Sequence, residues 1–215
     1  MKLYFIRHGE TSWNCKRKLQ GEADIPLNEN GRKLAKATRK NMGNVNFDMV
    51  ITSPYKRAQE TAQIITGFKK IPYILEERIR EITWGKWDGM TPEEIEQIGG
   101  KERFKMFYTK PFAFQGAPEG ETILQVCRRG REFYEELIRE EKYQNKTILI
   151  ATHGCALRGI LNHLYENPSD FWQEGVPANC AVSILKVEKG NSCFLEKDKI
   201  YYDQSLLKNF YTLKN

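Results

Sequence analysis

Apolar residues fall along the chain in short dense runs, separated by stretches where they recur at helical spacing. Leu3-Tyr4-Phe5-Ile6 opens the sequence, Met49-Val50-Ile51-Thr52 follows Phe47-Asp48, and Thr147-Ile148-Leu149-Ile150-Ala151-Thr152 lies much later. Each run is rich in β-branched or aromatic residues and bounded by polar segments, which predicts buried strands. A helix is expected after each. Pro54 suits the first turn of a helix running to about Gly67, with Ser53 as N-cap. Thr91-Pro92-Glu93-Glu94 reads as a capping box with proline at the first helical position. Between Glu121 and about Lys142, Ile123-Leu124, Val126-Cys127, Phe133-Tyr134 and Leu137-Ile138 keep helical spacing, and a further helix is expected from Cys155 to Tyr165.

Strands alternating with helices predict an α/β fold with a mostly parallel central sheet. Near the end, Cys180 to Val187 and Cys193 to Tyr201 flank Glu188-Lys189-Gly190-Asn191-Ser192, a hairpin at the sheet edge with its turn at Gly190-Asn191. Residues 99 to 120, with Gly99-Gly100, Pro111, Gly116 and Pro118, are the least regular stretch. They predict a lid or insertion, not a second domain, and residues 1–215 read as one domain without repeat or linker.

Composition narrows the setting. No apolar run approaches the roughly 20 residues that span a bilayer. The apolar stretch Met1 to Ile6 is too short for the core of a signal peptide and is interrupted by Arg7, so a cytoplasmic protein is expected. Its five cysteines (Cys15, Cys127, Cys155, Cys180 and Cys193) include no Cys-x-x-Cys pair, which argues against a zinc ribbon or a disulfide framework. A net charge of +6 favours anionic partners. The charge alone does not choose among nucleic acid, an acidic membrane and a phosphorylated metabolite; it is dispersed and no nucleic-acid-binding motif accompanies it, and the partner expected from the motifs below is a small phosphorylated metabolite, with no nucleic acid and no membrane. Monomer and dimer both remain open.

The candidate chemistry lies at two of the three histidines. His8 in Ile6-Arg7-His8-Gly9 and His153 in Ala151-Thr152-His153-Gly154 each follow an apolar strand and precede glycine. Ligands of open α/β sheets bind at the carboxyl ends of parallel strands, so both imidazoles would point into one crevice, where glycine allows close backbone approach. Arg7 adjoins His8, and Arg57 lies in the helix after Met49–Thr52. Guanidinium groups suit phosphate oxygens, and their charge disfavours the imidazolium, keeping His8 neutral and nucleophilic.

These residues carry a resemblance to the histidine phosphatase superfamily, in the branch that includes cofactor-dependent phosphoglycerate mutase. Arg7-His8-Gly9-Glu10-Thr11 resembles its signature. Asn14, then Gln20-Gly21 with Asp24-Ile25-Pro26-Leu27 and Gly31, match the next blocks. Ser53-Pro54, Arg57-Ala58 and Thr61-Ala62 follow, and then Arg80-Glu81-Ile82 with Gly85, Trp87 and Gly89. Pro118-Glu119-Gly120-Glu121-Thr122, Thr152-His153-Gly154 and Asn179-Cys180 complete the series. The resemblance implies a phosphoglycerate mutase-like three-layer sandwich, with helices flanking the sheet and residues about 84 to 120 as lid or specificity insertion. It implies His8 as nucleophile, forming a phosphohistidine, with Arg7, Arg57 and His153 holding the phosphoryl oxygens. Asn14 adds a hydrogen bond, and Gln20, Gly21 and Gly154 join the binding site. Glu81 is implied as general acid and then base, which requires a protonated carboxyl favoured by the phosphate dianion and by Trp84 or Trp87. Glu10 and Glu121 are the rival carboxylates. No metal or other cofactor is implied, because arginines and imidazoles can neutralise the phosphoryl oxygens.

Phosphatases and mutases share this pocket. Arg80 to Gly89 and Cys155-Ala156-Leu157-Arg158 are closer to the phosphatase patterns, including those of α-ribazole phosphatases, than to the mutase ones. The competing readings are mutase-type transfer, an inactive phosphate-binding regulator, a nucleic-acid-binding protein, and a cysteine hydrolase using Cys155 with His153. Lys86, Lys101, Arg103 and Lys105 are candidates for contacting a second anionic group, although a solvated face explains them as well.

Overall fold

The computed structural model describes residues 1–43 and 45–206. Strands β1 (Lys2–Arg7), β2 (Met49–Thr52), β3 (Tyr73–Leu75), β4 (Thr147–Thr152), β5 (Val182–Glu188) and β6 (Asn191–Lys199) form one sheet in the order β3-β2-β4-β1-β5-β6. β1 to β4 run parallel, while β5 is antiparallel to β1 and β6 to β5. The helices are α1 (Ser12–Cys15), α2 (Glu29–Met42), α3 (Lys56–Thr66), α4 (Pro92–Gln97), α5 (Lys101–Thr109), α6 (Ile123–Arg139) and α7 (Gly154–Leu161).

Period-two alternation sorts the strand residues onto two covered faces. Tyr4, Ile6, Val50 and Leu149 pack with Leu34 of α2 and Ala62 of α3. Leu3, Phe5, Ile51 and Ile150 pack with Phe133 of α6 and Leu157 of α7. The result is the expected α/β three-layer sandwich. A third apolar cluster gathers Trp84, Trp87, Ile95, Phe107 and Phe114 against Leu19, Val126 and Cys155. It caps the carboxyl end of the sheet, because Cys155 opens the helix that follows β4.

Several element boundaries differ from the sequence expectation. The helix after β2 starts at Lys56 with Tyr55 as N-cap, and its N-terminus has no side-chain cap. The Ser53 hydroxyl instead meets His153 Nε2 at 2.7 Å, so a tertiary partner takes the group expected to cap the helix. α6, expected from Glu121 to about Lys142, spans Ile123–Arg139 and is capped by a Thr122–Gln125 box. α7 ends at Leu161 and tightens into a 3-10 turn over Asn162–Leu164, short of Tyr165. The edge hairpin turns at Lys189-Gly190, one residue early. Their φ values of 50° and 79° suit a two-residue turn that follows the strand twist. α5 lies inside the stretch expected to be irregular, where flanking glycine and proline obscured a short helix. Among the described residues, no helix is long and apolar enough to cross a membrane.

Candidate active site

β1 and β4 are neighbours with Arg7 opposite Thr152, so the residues that follow them, His8 and His153, emerge side by side. His8 N–H donates to the Thr152 carbonyl at 2.9 Å, and the two imidazole centroids are 5.2 Å apart. The chain leaves β1 toward β2 over one face and leaves β4 toward β5 over the other, which opens a crevice between these two strands.

Each imidazole is oriented by a specific bond. His8 Nδ1 lies 2.7 Å from the Gly9 carbonyl, which can only accept, so Nδ1 carries the proton and Nε2 holds the free lone pair. Arg57 Nε donates to His153 Nδ1 at 3.1 Å, so Nε2 of that ring carries its proton toward Ser53 Oγ. Burial, then the charges of Arg57 and Arg7, hold His8 well below the ordinary imidazole pKa. Burial and Arg57 do the same for His153. Both rings are therefore neutral at pH 7.

A cleft of about 460 Å³ opens beside them, and Arg7, His8, Asn14, Gln20, Glu81 and Gly154 line one end. Asn14 and Gln20 share Thr11, whose hydroxyl oxygen lies 2.8 Å from Gln20 Oε1 and 3.1 Å from Asn14 Oδ1. Arg7 Nη1 donates to the Pro177 carbonyl. At Gly154 a Cβ would sit 2.8 Å from Val176 Cγ1 and 3.4 Å from Arg7 Nε, so only glycine lets the helix start pass this close to the guanidinium. The other end is apolar, walled by Leu19, Ile82, Trp84, Phe107, Tyr108 and Trp172, while Val176 and Cys155 lie beside Gly154, next to Arg7 and Glu81.

Three of the expected site residues lie behind the cleft wall. Arg57 is fully buried, and its Nη1 and Nη2 donate to the carbonyls of Ala23 at 2.7 Å and Gly21 at 2.9 Å. With Nε on His153, this guanidinium positions the second imidazole and supplies charge from behind. Gly21 serves as one of its anchors, and His153 stands between Arg57 and Ser53.

The three carboxylates are placed differently. Glu81 reaches the first turn of α7, where Ala156 N–H donates to Oε1 at 2.9 Å and Cys155 N–H to Oε2 at 3.2 Å; Ile82 N–H adds 2.9 Å to Oε1. The Cys155 and Ala156 donors belong to the unpaired N–H groups of a helix start. Glu10 accepts from Asn28 Nδ2 at 2.8 Å and Cys15 Sγ at 3.1 Å, and it does not line the cleft. Glu121 receives Arg129 through 2.9 and 3.0 Å bonds. Burial pushes its carboxyl up, but the Arg129 bonds and charge outweigh this and hold it below the ordinary carboxylate value. Trp84 shares the cleft with Glu81, while Trp87 packs within the cap. Burial, then the Glu81 charge, pushes the Cys155 thiol well above its ordinary pKa, and His153 has both ring nitrogens engaged elsewhere. A Cys155–His153 nucleophilic pair is therefore not assembled.

Comparison with known proteins follows this geometry closely. The family model described as histidine phosphatase superfamily, branch 1, matches residues 3–197. The chain belongs to the histidine phosphatase superfamily. Its enzyme class is phosphoric monoester hydrolase. It is 32% identical over 205 residues to phosphoserine phosphatase 1 of Hydrogenobacter thermophilus, covering 91% of each chain. It is 29% identical over 192 residues to a probable phosphoglycerate mutase, GpmB, of Yersinia pestis, covering 85% of this chain and 83% of that one. Among solved structures, Bacillus stearothermophilus YhfR superposes with a TM-score of 0.85 at 34% identity, over 93% of this chain and 97% of the other. A phosphoserine phosphatase mutant from Entamoeba histolytica, in complex with phosphoserine, superposes with a TM-score of 0.73 at 30% identity, over 91% and 95%.

Two supports of this histidine phosphatase site were not singled out from the sequence. Arg129 of α6 donates to the carbonyls of Arg78 and Arg80 at 2.7 Å each and of Glu81 at 3.1 Å, clamping the turn that presents Glu81. Asp88 accepts from the N–H groups of Gly21 at 2.7 Å and Ala23 at 2.9 Å, fixing the loop that anchors Arg57. An arginine inside an amphipathic helix and an aspartate in a glycine-flanked turn look like ordinary surface residues, so no local signal marks them.

Proposed function

We propose that this protein hydrolyses small phosphomonoesters through a phosphohistidine on His8, with Glu81 as general acid and then base. The observation that carries the reading is the His8 Nδ1–Gly9 carbonyl bond, which leaves Nε2 as the nucleophilic nitrogen of a neutral ring in a cleft shared with Glu81. In the first step, Nε2 bonds to phosphorus as the ester P–O bond breaks, and the Glu81 carboxyl gives its proton to the departing alkoxide. In the second, the Glu81 carboxylate takes a proton from water, whose oxygen attacks phosphorus. The P–N bond breaks and inorganic phosphate leaves.

Arg7 faces the phosphoryl end and compensates its negative charge, while the Cys155 and Ala156 N–H groups at the start of α7 hold Glu81. Arg57 adds positive charge from behind the neutral His153 ring, and Asn14 and Gln20 offer amide donors. Residues 84 to 120 act as the specificity insertion, since the aromatic end of the cleft comes from Trp84, Phe107 and Tyr108. Two similar proteins carry phosphoserine phosphatase in their names, which places phosphoserine on any substrate panel.

The test is phosphate release from small phosphomonoesters in EDTA, for wild type and His8→Ala. Release by wild type together with an acid-labile phosphoryl-enzyme, both absent from the variant, supports the mechanism. Undiminished release by the variant would rule out His8 as nucleophile.

A further inference from the structure

The two ends of the cleft differ in charge as well as in shape. Among the described residues, the lining contains no Lys, Arg, Asp or Glu beyond Arg7 and Glu81. The cations of the cap point elsewhere: Lys86 pairs with Glu119 at 2.7 Å and Lys101 with Glu96, and neither these nor Arg103 and Lys105 line the cleft. The far wall consists of aromatic rings locked against one another. Phe107 meets Trp84 edge-on at 4.7 Å and Trp172 at 4.9 Å. The Trp172 indole N–H donates to the Phe107 carbonyl at 3.0 Å, so the polar atom of that ring is engaged inside the wall.

Such a wall selects on charge. A carboxylate bound against it would lose its water without gaining a cation, which is strongly unfavourable. A hydrocarbon or aromatic group would remove apolar surface from water and pack edge-to-face with the rings. Resting on the phosphatase reading above, we infer that the preferred substrates are phosphomonoesters whose organic part is uncharged and apolar, above all aromatic. Amino-acid or hydroxy-acid phosphates, with a carboxylate close to the ester, are poor substrates. The inference separates this chain from relatives named for phosphoserine, although they share its fold.

The experiment compares kcat/KM for benzyl phosphate, isobutyl phosphate and phosphoserine at neutral pH. All three are esters of primary alcohols. The ammonium and carboxylate of serine make its alkoxide the better leaving group, so bond cleavage alone would favour phosphoserine. The expected order is benzyl, then isobutyl, then phosphoserine, with about tenfold or more between the extremes. Phosphoserine turned over as well as benzyl phosphate would overturn the inference while leaving the phosphatase reading intact.

A second arm needs no turnover. Calorimetry on the wild-type protein with benzylphosphonate and with 2-amino-3-phosphonopropanoate compares the same two organic groups on non-hydrolysable phosphonates. Tighter benzylphosphonate binding supports the inference even if no ester is hydrolysed; equal or weaker binding overturns it. Tyr108→Lys places a cation on the partly buried aromatic wall, beside Trp172. It should narrow the benzyl-to-phosphoserine ratio several-fold. A ratio unmoved by that lysine would mean that the organic group lies elsewhere, and would overturn the assignment.

Discussion

The phosphoryl end and the apolar end of one cleft are built by different means. At the phosphoryl end, His8 follows β1 directly, and Glu81 is held by the turn of α7 that follows β4; each has named hydrogen-bond partners. At the apolar end, Phe107 comes from α5 and Trp172 from the loop before β5, and packing between rings holds them. Bonded geometry tolerates little displacement, so the first end sets the reaction. Packed geometry tolerates exchange of one apolar shape for another, so the second end sets which ester enters.

The sharpest way to break this division is at His8. His8→Ala should lower phosphate release by on the order of 10⁴-fold or more, with every substrate affected alike. A variant retaining a few per cent of activity would move the nucleophile elsewhere. Glu81→Gln should lower kcat by about 10²–10⁴-fold for alkyl esters and much less for phenyl phosphate, whose leaving group needs little protonation. Equal losses for both esters would remove Glu81 as proton donor.

Smaller effects sharpen the comparison. Arg129→Met releases the clamp on the Glu81 turn and leaves Glu121 without its main partner. We expect kcat to fall about tenfold, with KM within twofold and stability lower by about 1–3 kcal/mol in urea unfolding. A KM effect without a kcat effect would place Arg129 in substrate binding instead.

The buried histidines also make stability depend on pH. Both rings titrate in the folded protein well below the ordinary imidazole value. Below about pH 6.5 the unfolded chain therefore takes up protons that the folded chain refuses. Stability should be fully present above that pH and fall as pH drops toward the depressed folded values, by up to about 1.4 kcal/mol per pH unit for each histidine. His8→Ala should flatten this slope by about one proton, and an unchanged slope would show that His8 is already charged when folded. The smallest expected effect is that of Lys101→Ala. That lysine pairs with Glu96 on the exposed face of the cap, so kcat/KM should stay within twofold for charged and apolar esters alike.

Legibility in the sequence followed how local each signal was. The β1, β2 and β4 runs were readable because both faces of the sheet are covered, which makes their sequences continuously apolar. The Thr91 capping box was readable because both its bonds fall within four residues. β3 was not, since its three residues are exposed and only pairing with β2 makes them a strand. α2 had no assigned bounds. Its charged surface dominates Glu29–Met42, and Gly31 within it is required because a Cβ there would meet the Glu10 carbonyl at 2.1 Å. Ser53 carried a real signal that was assigned to the wrong partner, because His153 lies a hundred residues away.

From the sequence alone came the strands that end in His-Gly, the arginines beside them, the family resemblance and the set of residues proposed to bear the chemistry. Those follow from side-chain identity and spacing along a few residues of backbone. Only the tertiary structure decided which nitrogen of each imidazole carries its proton, that Arg57 faces His153 and two carbonyls from behind the cleft, and that Arg129 holds the Glu81 turn. It also separated Glu81 from Glu10 and Glu121, and made the far end of the cleft aromatic and, among the described residues, without charge. Each of these depends on which distant backbone carbonyl, hydroxyl or ring packs against a side chain. That is settled by strand order and register, not by local sequence.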